Sequence, residues 1–249
     1  MTSALILAGT RRGGDKLAEA EGVSHKTLIE VGGRPMLERV VEAIRASGRV
    51  DRILVSINKP KLVKIPGVET IKSSKSLAES VIEGVTAVGA PTFVTTGDHA
   101  LLEPEWVRHF IDNAPDTDLT LGIARAETVK RDAPETERTY IKLADGEFSG
   151  CNMFYVRTMD ALRGVELWRE FEQLRKQPFK MLQKLGPGAI FAYATGRLTT
   201  KRVAKEVERM THGLTATHIE MPFGRSAIDV DKPSDLELVR RMIEQDKAA

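Results

Sequence analysis

The chain has 249 residues, 41% of them apolar and 29% charged, with a formal net charge of +2. That length can bury a sizeable core without a disulfide or metal staple, and so small a net charge gives no global field for nucleic acid or an anionic membrane. Cys151 is the only cysteine and the five histidines show neither HxxxH nor HExxH spacing, which excludes a disulfide framework and leaves cysteine-rich or imidazole metal sites without support.

In chain order, Ala4-Leu-Ile-Leu-Ala8 is a short apolar run of the kind expected for a strand covered on both faces. A polar, glycine-containing loop follows to about His25. Leu37, Val40, Val41 and Ile44 then recur at helical spacing, with Pro35 near the start and Gly48 past the end. Ile53–Ile57 reads as a second strand, Leu77 to Val88 as a second helix and Thr92–Thr96 as a third strand. A helix near Glu105–Asn113 precedes a strand at Leu119–Ala124. Residues 125–150 read as irregular and charged, and Cys151–Val156 as another strand.

From about Thr158 to Thr217 helix formers dominate, punctuated by Pro178 and Gly186-Pro-Gly188. This stretch is expected to be a helical insertion within a single domain spanning 1–249. The chain returns at Ala227–Asp231, and Pro233 opens a final amphipathic helix. Alternating strands and helices predict an α/β fold: a Rossmann-like three-layer αβα sandwich with a mostly parallel sheet and right-handed crossovers. No run approaches a membrane span, and the start lacks the basic flank of a signal peptide, so the expected address is cytoplasmic.

The loop Gly9-Thr-Arg-Arg-Gly-Gly14 leaves the first strand at the end where α/β sheets bind ligands. Its glycines would let the backbone approach a phosphate that Arg11 and Lys26 could neutralise; a merely solvated loop is the plainer reading. Gly9 and Gly14 have P-loop spacing, but Asp15 stands where the lysine belongs and Lys16 where the Ser/Thr belongs. A dinucleotide-binding GxGxxG is also missing after this strand.

Leu7-Ala-Gly9, Arg11, Lys26-x-Leu28 and Val31-Gly-Gly-Arg-Pro-Met-Leu37 together resemble the signature of nucleotidyltransferases with the glycosyltransferase-A-like fold, most closely the molybdenum-cofactor guanylyltransferase-like (MobA-like) NTP transferases. The resemblance implies that Leu7, Ala8, Gly9 and Thr10 wrap an NTP triphosphate while Arg11 and Lys26 neutralise it, with Arg12 as a substitute for Arg11. Thr10 replaces the usual second glycine, and the spacer before Lys26 is longer than is common.

Gly97-Asp98 follows the third strand. Such pairs often make turns, but in the family this aspartate binds a metal, which makes Asp98 the expected Mg²⁺ ligand and Gly97 part of the nucleotide site. Asp229-Val-Asp231-Lys-Pro233-Ser-Asp235-Leu places two carboxylates on one side of an extended segment, where they repel unless a cation or proton intervenes. Capping of the final helix would explain Asp231 but not Asp229. The stretch also resembles the Asp-x-Asp-x-Pro-x-Asp-Leu close of sugar- and polyol-activating nucleotidyltransferases. That resemblance implies a metal role for Asp231, with Asp229 either as its partner or as a supporting residue behind it, and Asp235 in the first helical turn.

Ser76 and Ser80 sit where relatives contact base or ribose, although helix capping also explains them. Gly150-x-Asn152 resembles an acceptor-binding element, and Lys142 is a candidate for an acceptor phosphate. Arg175, Lys176, Lys180 and Lys184 oppose Glu172 in a stretch interleaved with apolar residues, which suits a solvated helix or a peripheral membrane contact.

The expected activity is Mg²⁺-dependent transfer of an NMP group from an NTP to a sugar, polyol or alcohol phosphate. A molybdopterin acceptor, a glycosyltransferase using a sugar nucleotide and a non-catalytic nucleotide-binding regulator are the alternatives.

Overall fold

The computed structural model describes residues 1–10, 14–174 and 186–248. Its elements are β1 (Ser3–Leu7), α1 (Lys16–Ala20), β2 (Glu30–Val31), β3 (Arg34–Pro35), α2 (Met36–Ala46), β4 (Arg52–Ile57), β5 (Glu69–Lys72), α3 (Leu77–Val88), β6 (Thr92–Thr96) and α4 (Pro104–Asp112). The chain continues through β7 (Leu119–Arg125), α5 (Ala126–Asp132), β8 (Ile141–Leu143), β9 (Gly146–Val156), α6 (Leu162–Leu174), α7 (Pro187–Ala194), α8 (Thr200–Met210), β10 (Ala216–Glu220) and α9 (Pro233–Ala248).

The main sheet runs in the order β10-β7-β9-β6-β1-β4-β5, with β8 paired to β9. Neighbours β1/β4, β1/β6, β4/β5 and β7/β10 are parallel, and β9 runs against both β6 and β7. The carboxyl ends of β1, β4, β5 and β6 therefore share one edge. That edge is where open α/β sheets hold ligands.

The side chains of β1 show why the sandwich has three layers. Period-two alternation sends Ala4 and Ile6 to a core shared with α2, α4 and α9, and Leu5 and Leu7 to a core shared with α3 and α6. Both faces are dry, which accounts for the uninterrupted apolar run. On the first face the Phe93 and Phe110 rings meet edge to face, 6.0 Å between centroids.

Several expectations need correction. Residues 125–150 are not irregular: they hold α5, β8 and the first half of a long β9. The polar loop before His25 contains α1, capped by Asp15, whose carboxylate accepts from the Leu17 and Ala18 amides at 3.0 and 3.1 Å. Asp15, standing at the P-loop lysine position, is thus a helix cap.

The helical stretch also divides differently. Ala161, in the 3₁₀ turn that leads into α6, and Val165 in its first turns are buried in the core with α3, so this helix belongs to a covering layer of the sheet. By residue 216 the chain has returned to the sheet as β10. The basic candidates Arg175, Lys176, Lys180 and Lys184 lie outside the described residues.

Candidate active site

A cavity of about 670 Å³ opens at the shared carboxyl edge of the parallel strands. Leu7, Ala8, Gly9 and Thr10 line it where β1 ends, Lys26 and Thr27 enter from a 3₁₀ turn, and Asp98, Asn152, Asp229 and Asp231 close one side. Ser76 and Ser80 line it at the start of α3.

Backbone hydrogen bonds past the ends of the ladders fix this edge. Ala8 N–H donates to the Ser56 carbonyl at 2.8 Å, and Gly97 N–H donates to the Leu7 carbonyl at 2.9 Å. Val230 N–H donates to the Asp98 carbonyl at 3.2 Å, which ties the C-terminal acidic segment to the Gly-Asp loop. Two glycines allow the close approach. A Cβ on Gly97 would stand 2.9 Å from Thr27 Cγ2, and one on Gly9 would stand 3.0 Å from the Ser73 side chain.

At the centre is an ion cluster. Lys26 Nζ lies 2.6 Å from Asp98 Oδ2 and 2.7 Å from Asp231 Oδ1. Burial works against the charge on Lys26, but Asp98 and then Asp231 outweigh it and hold the ammonium above the ordinary lysine range. Burial likewise raises the Asp98 carboxyl above the usual carboxylate range, with Lys26 pulling the other way. Asp98 Oδ1 is buried and makes no hydrogen bond of good geometry among the described residues.

Asp229 is engaged on both oxygens. Arg138 Nη2 forms an ion pair with Oδ1 at 2.6 Å, and Asn152 Nδ2 donates to Oδ2 at 2.7 Å. One oxygen from each of Asp98, Asp229 and Asp231 lies within 4.8 Å of the others, a spacing that could surround one cation. The donor set is all oxygen, which suits a hard ion such as Mg²⁺. Asp98 Oδ1, buried without a hydrogen bond of good geometry, is the atom that such an ion would satisfy.

Asp235 sits in the first turn of α9 and accepts from the Asp231 and Lys232 amides, both at 3.1 Å. It shapes the turn that presents Asp231. Ser76 caps α3 by accepting from the Glu79 amide at 3.1 Å, and Ser80 Oγ donates to the Ser76 carbonyl at 3.1 Å. Both serines therefore have structural partners while facing the cavity.

Lys142 departs from expectation. It lies in β8, is exposed and pairs with Glu147 at 3.2 Å, and it is not among the residues that line the cavity. Gly150 is exposed and also off the lining, in contrast to Asn152. His99 is buried beside Trp106 and its imidazole is pushed down to about 4 by desolvation, so it packs as a neutral ring. Arg11 and Arg12 lie outside the described residues.

Two contributors escaped the sequence reading. Asn58 clamps the nucleotide-side loop, accepting from the Thr10 amide and donating to the Thr10 carbonyl at 3.2 Å. Arg138, in the stretch read as irregular, reaches Asp229 from across 91 residues of sequence, and no spacing rule could have linked them.

The chain resembles a hypothetical transferase from Thermus thermophilus with 28% identity and a TM-score of 0.82, over 95% of this chain and 100% of that one. A nucleotidyl transferase from Methanothermobacter superposes with a TM-score of 0.58 at 18% identity, covering 99% of each chain. A 4-diphosphocytidyl-2C-methyl-D-erythritol synthase from Anaerococcus prevotii does so with a TM-score of 0.60 at 13% identity, covering 98% of each. These last two show the shared fold. Residues 4–189, well over half of the chain, match the MobA-like NTP transferase domain, so the chain belongs to that family and is a nucleotidyltransferase.

Proposed function

We propose that this nucleotidyltransferase moves an NMP group from an NTP to a phosphorylated small-molecule acceptor (a sugar, polyol or alcohol phosphate) with the help of Mg²⁺, in the cytoplasm and within one catalytic domain. The observation that carries the reading is Lys26 held between Asp98 and Asp231 at one side of the cavity that the Leu7–Thr10 loop enters. A half-buried ammonium bridging two carboxylates marks a place built for positive charge.

An acceptor phosphate oxygen attacks the α-phosphorus in line. A new P–O bond forms, the bond from the α-phosphorus to the oxygen bridging to the β-phosphate breaks, and pyrophosphate leaves with that electron pair. An ionised phosphate needs no general base, so positioning and charge stabilisation carry the rate. The backbone of Ala8, Gly9 and Thr10, braced by Asn58, cradles the triphosphate. Lys26 exchanges its carboxylate partners for phosphate oxygens. Asp98 and Asp231 would hold Mg²⁺, which when bound offsets the charge building on the departing pyrophosphate. Asn152, on the same side as the acidic cluster, faces the acceptor.

Among the described residues no helix is long and apolar enough to cross a membrane. The test is pyrophosphate release with four NTPs against pooled sugar, polyol and alcohol phosphates, with Mg²⁺ or with EDTA. Release that needs one NTP, one acceptor class and the metal would establish the reading. Tight NTP binding without release from any pool would point instead to an acceptor of another class, such as a pterin.

A further inference from the structure

Three carboxylates meet at the site, but their surroundings differ. Asp98 Oδ1 and Asp229 Oδ1 are both buried without a hydrogen bond of good geometry, but Asp229 Oδ1 has the Arg138 guanidinium 2.6 Å away, while Asp231 has its side chain 67% exposed. Asp229 is 11% exposed and is held from both ends by Arg138 and Asn152.

The backbone is distorted to make this grip. Asn152 has φ of 49°, in the left-handed region that L-residues adopt only at a cost and asparagine tolerates best. It also lies where the β7/β9 register shifts: Leu121 pairs with Phe154 but Ile123 with Gly150. Bulges of this kind re-aim a side chain, and here the side chain is aimed at Asp229. From the other direction Arg138, its own side chain only 15% exposed, supplies a permanent positive charge at 2.6 Å.

We propose that Asp229 is not a cation ligand but the centre of a positioning unit, Arg138–Asp229–Asn152, which leaves Asp98 and Asp231 as the cation-holding pair. Charge supports the division of labour. Arg138 cancels one of three negative charges for good, so one divalent ion balances the other two once Lys26 has turned to the triphosphate. Asp229 in turn fixes the Asn152 amide at the cavity wall, where an acceptor would be oriented. Arg138 and Asp229 thus act through Asn152 and through the net charge of the site. This inference rests on the Mg²⁺-dependent reading above and refines it.

Mn²⁺ titrated into the full-length protein and followed by electron paramagnetic resonance tests it without turnover. Asp98→Asn is expected to weaken binding by about tenfold or more, because a charged oxygen ligand is lost. Asp229→Asn should bind Mn²⁺ nearly as the wild type does. Arg138→Met should bind it more tightly, since a third carboxylate is released into the site, and adding Asp229→Asn to that variant should abolish the gain. Arg138→Lys, which keeps the charge, should stay near wild type. Thermal unfolding of each variant confirms that the fold is kept.

A loss in Asp229→Asn as large as in Asp98→Asn would overturn the proposal. So would a folded Arg138→Met protein that binds Mn²⁺ no more tightly than the wild type. Failure of the wild type itself to bind Mn²⁺, with or without NTP, would count against the metal-dependent reading instead.

Discussion

The carboxyl edge of β1, β4 and β6 and the helical stretch of α7 and α8 lie in one chain but are built to different standards. At the edge, the loops at Ala8, Ser73 and Gly97 are tied to neighbouring strands by backbone hydrogen bonds, Val230 is tied to Asp98, and the strands beneath are buried on both faces. Among the described residues of α8 none is buried, and in α7 Phe191 and Tyr193 are 65% and 63% exposed. The strands bring charged groups to within 2.6–2.7 Å of one another, whereas α8 has no buried residue among those described. Precision here follows from burial of the supporting backbone, and perturbing each region should have very different consequences.

The largest effect on stability is expected beneath the site. Phe93→Ala removes a fully buried ring that packs on Phe110, and should cost about 3–5 kcal/mol in denaturant unfolding. Val203→Ala, on the exposed face of α8, should stay within about 0.5 kcal/mol by the same measurement. Similar costs at both positions would erase the contrast between the two regions.

At the site, Lys26→Met should lower pyrophosphate release roughly a hundredfold, the usual consequence of losing one preorganised charge partner. It should also leave Asp98 buried without its cation, so thermal stability in the absence of Mg²⁺ should fall and be partly restored by the metal.

A smaller, pH-dependent effect sharpens the same comparison. The His99 ring is held at about 4, against an ordinary value of 6.5, because it is fully buried. Between those values the unfolded chain takes up a proton that the folded chain refuses, so stability falls as pH drops from about 6.5 to about 4. The ceiling on this loss is about 3 kcal/mol by linkage. His99→Phe should flatten that part of the stability curve of the metal-free protein; an unchanged slope would assign the acid sensitivity elsewhere.

Much of this was legible in the sequence, for identifiable reasons. The runs at Ala4–Ala8, Ile53–Ile57 and Thr92–Thr96 announce strands because both their faces are dry. Gly97-Asp98 and Asp229-x-Asp231 could be singled out because their motifs resemble those of nucleotidyltransferases, and the structure brings their carboxylates together. By contrast β5, an edge strand with the burial pattern exposed, exposed, intermediate, exposed, has no apolar alternation to betray it. The helix α1 is a single short turn-and-a-half set by one cap, and β8 is three residues of largely exposed chain. Arg138 and Asn58 were missed for a different reason: their partners are brought to them by topology, which spacing along the chain does not encode. Lys142 shows the converse, a plausible charge on the right strand pair whose side chain finds Glu147 in solvent.

The central claim is that the acidic pair beside Lys26 carries nucleotidyl transfer. The most direct test is the rate of pyrophosphate release by Asp98→Asn and wild type, at saturating Mg²⁺ and with the NTP and acceptor that the wild type selects. The account predicts a fall of roughly a thousandfold, the several kcal/mol that a lost metal anchor represents, with the unfolding midpoint little changed. A variant that turns over within about tenfold of the wild type would contradict it, and would place the chemistry away from the Gly-Asp loop.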